Sequence, residues 1–381
     1  METSRSLKPT GLTLRTLAVV VNYESADLTI RAVQSILESP SLGPVQVVVV
    51  DNSEDEAEAE RLRQGLPSTV RLEISPRNIG FGRACNQALE GFQGDAILLL
   101  NPDARLLAGC LKRLQETLFS SEKVAAVSSH IFWDPQFKFL LPSSYPRALL
   151  EIQALFNPWP PQAFIHRFLS GIWRYHSIRV WLAQRPVRVT NLSGSVVLLK
   201  VGALRRAGGL FDPRFFLYFE DTDLFIRLRQ KGYSLLVEPR ARAVHYYDQC
   251  GVNHREHKRS LLAHSHALFL QKHGKPAMSR VRRGAYRFFT GTGIGRRYET
   301  KPPDFMAPFT LNIPKHLREG WLFEWSPFPT FLPSVGRFGK GPMMEFPPSC
   351  WEMLAPGQYY GRFGKIAAFG RYSDVVSWCT P

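Results

Sequence analysis

Four apolar runs, each closing on polar residues, constrain this chain more than any other feature. They are "LAVVVNY" (17–23), "VQVVVVDNS" (45–53), "VRLEISPRN" (70–78) and "AILLLNPDA" (96–104). Runs as continuous as the first and second are expected of strands buried on both faces. The third belongs nearer an edge. Between the first two, Ser25 is placed to cap a segment in which Leu28, Ala32 and Ile36 recur at helical spacing. The charged "EDEAEAERLRQ" after the second reads as a solvated helix. Strands separated by helices of this length imply βαβ units, hence an α/β fold with a mostly parallel sheet flanked by helices. At 381 residues and 44% apolar composition, there is material for one large α/β domain and a smaller one.

The pattern breaks over residues 141–188, which are rich in aromatics, Arg and Pro. They read as an insert with one or two amphipathic helices, either capping the sheet or offering a membrane or acceptor face. Regular structure returns at "SVVLLK" (195–200), and "YSLLVEPRARAVHY" gives a further strand interrupted by Pro239. From 251 to 300 there are eleven Lys and Arg against Glu256 and Glu299. That stretch is either a solvated basic helix or an attractor of phosphate and anionic lipid. From about 301 short aromatic runs are broken by Pro and Gly, the mark of a small all-β module. The expected organisation is a tail (1–14), an α/β domain (15–280) carrying the insert, a basic linker (281–300) and the C-terminal module (301–381).

Lys and Arg number 48 against 32 Asp and Glu, a net charge of +16. This favours anionic partners without choosing among nucleic acid, a phosphorylated small molecule and an acidic membrane. The five cysteines are far apart and form no C-x-x-C pair, which reads as a reduced, cytoplasmic protein. Residues 1–16 lack the apolar core of a signal peptide, and the apolar runs fall far short of the roughly 20 residues that cross a bilayer. A soluble or peripherally bound protein is expected.

The chemistry-bearing residues gather where strands end, and ligands of open α/β sheets bind outside the carboxyl ends of the strands. Asn22 and Tyr23 end the first, Asp51 and Asn52 the second, and Asn101 and Asp103 the fourth. Any one of them alone also suits a turn or a helix cap. Asp51 and Asn52 have the groups to read a base or ribose. "NIGFGRACN" (78–86) opens a helix after the third run, with Gly80 and Gly82 admitting close backbone approach and Arg83 near for a phosphate. It is not G-x-G-x-x-G, and no G-x-x-x-x-G-K-[ST] loop is present. A carboxylate at Asp103 suits a divalent cation bridging a diphosphate, since Mg²⁺ or Mn²⁺ needs only one or two protein carboxylates when phosphates complete the shell. His245, after a later strand, is positioned to join that shell. Finally, "FFLYFEDTDLFIRLRQKGY" (215–233) sets Glu220, Asp221 and Asp223 beside four aromatics. Asp221 as N-cap, Asp223 in the first turn, an apolar stripe from Leu224 to Leu228 and a wet face at Arg227 and Arg229 account for the helix. They leave Glu220 and the aromatics without a structural reason.

In this order, "VVVNY", "VVVVDNS", "NIGFGRACN", "LLLNPDA", "NLSGSVVLLKVGALRRAGGLFDPRFFLYFEDTDLFIRLRQKGY" and "AVHY" resemble family 2 glycosyltransferases of the GT-A fold, nearest to rhamnosyltransferase-like members that build cell-wall and surface polysaccharides. The resemblance covers about residues 15–275. It implies an inverting transfer from a nucleotide-diphosphate sugar to a hydroxyl of a glycan or lipid-linked acceptor. In that frame Asp51 contacts the base, and Asn22, Tyr23, Asn52, Asn78, Gly80, Phe81, Arg83, Asn86 and Asn101 surround the donor. Asp103 stands at the metal carboxylate, with His245 as second ligand of Mg²⁺ or Mn²⁺. Asp221 is the catalytic base with Glu220 beside it, and Gly194, Phe216 and Tyr218 shape the acceptor side. "NPDA" carries one carboxylate where D-x-D carries two. No nucleic-acid partner is expected, whereas peripheral contact with the inner membrane face is, through Trp159, Trp173 and Trp181 with Arg174, Arg179 and Arg185. A nucleotidyltransferase would want a glycine-rich basic loop after the first strand, where "VNYESADLT" stands. A non-catalytic binding protein would keep the crevice without needing Asp221.

Overall fold

The computed structural model describes residues 13–145, 163–246, 255–274, 303–367 and 372–380, excluding the side chains of 163–167, 255, 256 and 259. The anticipated strands form: β1 (Thr16–Asn22), β2 (Val45–Asp51), β3 (Arg71–Ile74) and β4 (Ala96–Leu100). They lie side by side in the order β3-β2-β1-β4, all parallel, with β3 at the edge. Every residue of β1 and β4 is buried. Alternate side chains feed two cores: Val20, Val49 and Leu98 pack on one face of the sheet, and Val19, Val48 and Leu99 on the other.

The connecting helices are Ala26–Leu37, Glu56–Gly65 and Phe81–Ala88. The second is less solvated than its sequence suggests. Asp55 caps it, while Glu58 is turned inward, only 4% exposed, and accepts hydrogen bonds from the Ala26 N–H and the Asn22 amide at 2.9 and 3.1 Å. Ser25 precedes the first helix as expected, but its hydroxyl donates to Asn22 Oδ1 and makes no cap bond.

Beyond β4 come β5 (Ala104–Leu106), β6 (Val124–Phe132), β7 (Leu140–Leu141), β8 (Val187–Val189), β9 (Val196–Lys200) and β10 (Ser234–His245). β9 inserts antiparallel between β4 and β6, and β10 runs parallel to β6. β10 is continuous through Pro239. Its register against β6 shifts between Glu238 and Arg242, where a proline cannot donate to the ladder. The result is the expected α/β architecture, a mostly parallel sheet flanked by helices.

The C-terminal strands are β11 (Phe309–Asn312), β12 (Trp321–Ser326), β13 (Val335–Gly339), β14 (Met343–Phe346), β15 (Gly357–Gly364) and β16 (Val376–Thr380). β13, β12, β15 and β16 pair antiparallel, and Gly336 of β13 bridges Leu140 of β7, so they prolong the central sheet. β11 and β14 form a separate ribbon. Phe309 and Phe346 from that ribbon pack on Trp378 of β16.

The helix Ala163–Trp181 of the insert lies on this C-terminal sheet. Trp181 packs with Leu322 and against Gly336, where a Cβ would sit 2.3 Å from its ring. Trp173 donates its indole N–H to Ser334 Oγ at 2.9 Å. Arg174, fully buried, meets Glu324 of β12, which Arg362 of β15 also contacts at 3.1 Å. Trp173, Trp181 and Arg174 are therefore internal, which corrects the expectation that they anchor in a membrane interface. Burying them against the chain's own aromatic sheet removes that surface. Arg179 and Arg185 are exposed. Trp159, residues 1–12 of the tail, the linker 281–300 and most of the basic stretch lie outside the described residues. Among the described residues, no helix is long and apolar enough to cross a membrane.

Candidate active site

Register delivers the strand ends to one edge: Asn22 sits opposite Asp51 in the β1–β2 ladder. Both are buried, and the Asn22 amide donates to Asp51 Oδ1 at 2.9 Å. Ser53 donates to the same oxygen through its N–H and its hydroxyl. Asn22 and Asp51 are thus the floor of the crevice and do not line it. Asn52 stands higher. Its amide donates to Asn78 Oδ1 at 2.7 Å, and its own oxygen accepts from the Ile79 N–H at 3.0 Å.

Above the floor is a cavity of about 280 Å³. Tyr23, Asn52, Asn78, Gly80, Phe81 and Asn101 line it. So do Asp103 and His245, with Phe216 and Tyr218 on the far wall. Ten of the residues singled out in the sequence therefore converge on one space. Asp103 Oδ1 lies 3.1 Å from His245 Nε2, because β5 runs antiparallel to the end of β10 and pairs Ala104 with His245. A carboxylate oxygen and an imidazole nitrogen this close supply two of the six ligands of an octahedral shell. Among the described residues no third His, Cys, Asp or Glu joins them. The pair therefore fits Mg²⁺ or Mn²⁺ only where diphosphate oxygens and water complete the shell.

Arg83 and Asn86 leave the cavity, which corrects their expected place at the donor. Arg83 Nε donates to the Pro213 carbonyl at 2.8 Å. The Asn86 amide bonds the Phe211 carbonyl at 2.9 Å and accepts its N–H at 3.0 Å. Both hold the 208–214 turn. Arg227, expected on the wet face, donates to the carbonyls of Ala207, Gly209 and Leu210 in the same turn. Gly80 lines the cavity, but its backbone is needed elsewhere. Its φ is +84°, and a Cβ would fall 2.5 Å from the Phe216 carbonyl, which accepts the Phe81 N–H at 2.9 Å.

That contact begins the segment carrying the carboxylates. Tyr218 and Phe219 both have positive φ, 70° and 67°, a conformation costly for aromatic residues and held only where surroundings dictate it. The surroundings are specific. Ser265 donates to the Leu217 carbonyl at 2.7 Å, and Phe219 stacks on His266 with ring centres 5.3 Å apart. Phe219, not Asp221, occupies the N-cap of the helix Glu220–Gln230, because its left-handed backbone turns the chain into the first turn.

The three carboxylates then separate by environment. Asp223 is fully buried, with Arg227 at 2.9 Å and Lys272 and His273 both at 2.7 Å. Burial pushes its carboxyl up, but the hydrogen bonds from Lys272, His273 and Arg227, with the Arg227 charge, outweigh it and hold it below the ordinary range. Asp221 is raised, chiefly by burial, against the pull of the Thr222 N–H and hydroxyl and the Gly194 N–H. Those bonds measure 2.6, 3.2 and 3.2 Å. A Cβ at Gly194 would approach Asp221 Oδ2 to 3.1 Å. The next residue, Ser195, accepts the N–H of Asn101, so Asp221 is tied to the cavity wall through two chain links. Asp221 is not itself among the lining residues. Glu220 is buried, its Oε2 lacks any partner among the described residues, and burial together with the Asp221 charge lifts it to about 8.

The sequence reading missed His257, Lys258 and Leu261, which reach the cavity from the helix Arg255–His273. Lys272 and His273 pin the far end of that helix to Asp223, and Lys272 also bonds Asp212 at 2.6 Å. The signal was the basic stretch itself, which reads as either a solvated helix or an attractor of phosphate and anionic lipid, without assigning any of its residues to this cavity.

A sequence profile described as glycosyltransferase-like family 2 matches residues 15–263. The chain belongs to this family. The glycosyltransferase is 28% identical over 221 residues to the N-acetylglucosaminyl-diphospho-decaprenol L-rhamnosyltransferase of Mycobacterium tuberculosis, in strains CDC 1551 / Oshkosh and ATCC 25618 / H37Rv. That overlap covers 53% of this chain and 67% of the relative. Among solved structures it overlaps one titled GalNAc-T7 with UDP, GalNAc and Mn²⁺, at TM-score 0.43 and 16% identity, over 62% of this chain and 44% of the other. It also overlaps the mannosyltransferase PcManGT of Pyrobaculum calidifontis with GDP-Man and Mn²⁺, at TM-score 0.39 and 16% identity, over 74% and 83%. The profile ends before the C-terminal strands of the glycosyltransferase begin.

Proposed function

We propose that this glycosyltransferase moves a sugar from a nucleotide-diphosphate donor to a hydroxyl of a lipid-linked diphosphate glycan in cell-wall assembly, working at the cytoplasmic membrane face. The observation that carries the reading is the separation of three neighbouring carboxylates into one anchored (Asp223), one buried with an oxygen that has no partner among the described residues (Glu220) and one held beside the crevice wall (Asp221). The acceptor class follows the rhamnosyltransferase relative.

In this reading the nucleoside lies over Tyr23, Asn52 and Asn78, with Asp51 below as part of the supporting floor. Asp103 and His245 would hold Mg²⁺ or Mn²⁺, and the ion would supply positive charge to offset the negative charge developing on the departing diphosphate. Lys258 adds a second positive charge over the same cavity. Asp221 accepts the proton of the acceptor hydroxyl as that oxygen attacks the anomeric carbon. Its raised proton affinity suits a base and is limited by the Thr222 and Gly194 bonds, which also aim the carboxylate. Glu220, neutral at pH 7, spares Asp221 a second adjacent negative charge. Phe216 and Tyr218 exclude water that would hydrolyse the donor.

Thermal shift with dTDP-, UDP- and GDP-sugars, each with Mn²⁺, Mg²⁺ or EDTA, tests the donor half. At least one nucleotide raises the melting temperature only with metal, and Asp103→Ala removes the metal-dependent part. Equal shifts in EDTA would sink the metal assignment.

A further inference from the structure

A second cavity, of about 560 Å³, opens between the α/β domain and the C-terminal strands, and it shares Tyr218 and Lys258 with the donor cavity. Trp133, Leu141 and Tyr145 line it from the α/β domain and Trp325, Phe328 and Met353 from the C-terminal region, with the Trp133 and Trp325 rings in contact, their centres 4.8 Å apart. Leu262, one helical turn from Lys258, is 45% exposed, and Phe328 is 50% exposed. Four prolines and a run of aliphatic side chains complete the lining.

The lining says what class of molecule fits. Polar side chains in the lining are confined to Lys258, Gln358, Ser334 and four tyrosines (Tyr145, Tyr218, Tyr359 and Tyr360), and the rest of it is apolar or glycine. Ser334 is buried and already bonded to the Trp173 indole, and the Tyr359 hydroxyl is used on the Ala355 carbonyl. Besides these, only Lys258 and Gln358 bring a polar side chain that is not aromatic. An apolar chain that needs no hydrogen bonds suits such a wall, and large exposed side chains such as Phe328 and Leu262 are costly to leave in water without a partner. At the junction with the donor cavity stands a lysine, a phosphate-binding cation.

We propose that this groove takes the isoprenoid tail of the acceptor, with its diphosphate at Lys258 and its sugar turned toward Asp221. The C-terminal strands are then a substrate-binding wall. This rests on the lipid-linked acceptor reading above and adds to it the place where the lipid lies. The occupant is an isoprenoid diphosphate, argued from the apolar lining, the cation at its mouth and the continuity with the donor cavity.

The test measures binding of three probes to the full chain by titration: inorganic diphosphate, geranyl diphosphate and farnesyl diphosphate below its micellar concentration. The proposal expects affinity to rise with chain length. Farnesyl diphosphate should bind at least about tenfold tighter than inorganic diphosphate, since two buried methylenes already supply that factor. Leu262→Glu and Phe328→Glu, both at exposed positions, should each abolish the chain-length gain and leave nucleotide binding unchanged. Equal affinity for all three probes, unchanged affinity in both variants, or displacement of farnesyl diphosphate by maltohexaose would each overturn the proposal. If a nucleotide still binds with metal while farnesyl diphosphate does not, the groove assignment fails and the donor reading stands. If neither binds, both fail.

Discussion

Glu324 and Glu220 are both buried glutamates, and the protein treats them oppositely. Glu324, in the C-terminal sheet, is met by two arginines, Arg174 and Arg362, with Ser334 near its other oxygen. Arg362 lies over Phe331 and Tyr372 at 4.1 Å from each ring centre, and further Arg174 hydrogen bonds end on the carbonyls of Ala367 and Lys365. Burial of charge is expensive, and here almost every polar group has found a partner. Glu220, at the candidate active site, has a carboxyl oxygen with no partner among the described residues and a charged aspartate next in sequence. It is tolerated only because it stays protonated. The first arrangement joins the insert to the C-terminal strands. The second gains nothing for the fold, and its neighbour Asp221 is held beside the cavity wall by the Gly194 N–H, with its proton affinity raised by burial.

The sharpest way to break this contrast is to remove one arginine. Arg174→Ala should destabilise the protein by about 3–5 kcal/mol, the usual consequence of removing one partner of a buried ion pair, here leaving Glu324 with one of its two arginines, Arg362. Chemical denaturation would read it, and turnover per folded molecule should hold. A loss under 1 kcal/mol would mean the Glu324 knot is not structural.

A smaller effect is expected at Glu220. Its carboxyl titrates near 8 when folded and near 4.5 when unfolded. The folded state therefore binds the extra proton, and stability is full below pH 4.5 and falls as pH rises through about 8. Glu220→Gln mimics the protonated form and lacks that decline. Its melting temperature relative to the unaltered protein should rise from pH 6 to pH 9. A constant difference across that range would show that Glu220 is already ionised.

The smallest effect concerns aim. Thr222→Val removes a hydroxyl that lowers the Asp221 proton affinity and keeps the bond from the backbone N–H. Turnover should fall a few-fold, with the acid limb of its pH profile moved to higher pH. An unmoved limb would separate Asp221 from that limb.

Much of this was legible in the sequence, for reasons that can be named. β1, β2 and β4 are buried on both faces, so their patterns are continuous and their polar ends stand out. That placed Tyr23, Asn52, Asn101 and Asp103 at one cavity. Asn86 and Arg83 misled because a helix that opens on the crevice also has a side facing away, and nothing local says that the 208–214 carbonyls await them. The N-cap misled because Asp221 has the right side chain, whereas the left-handed Phe219 is fixed by contacts with a helix some forty residues on. The insert's Trp and Arg misled most. Their mixture suits a membrane interface as well as a buried aromatic sheet with an ion pair, and the deciding partner, Glu324, lies 150 residues away. The pentapeptide "GRFGK" occurs twice, at 336–340 and 361–365, and its first glycines, Gly336 and Gly361, leave room for the Trp181 and Phe323 rings.

The central claim is that Asp221 does chemistry while its neighbours hold structure. Single-turnover kinetics of Asp221→Asn, with the nucleotide-sugar and cation that thermal shift identifies, tests it directly. The amide keeps the shape, and its one oxygen can still accept the Thr222 bonds that Oδ1 takes, at the loss of the Gly194 N–H bond to Oδ2, so the fold and donor affinity should survive. The transfer rate should drop by about 10²- to 10⁴-fold, the usual contribution of a positioned base. A rate within a factor of three of the unaltered protein, with donor binding intact, would contradict the account and return the 215–223 segment to a purely structural role.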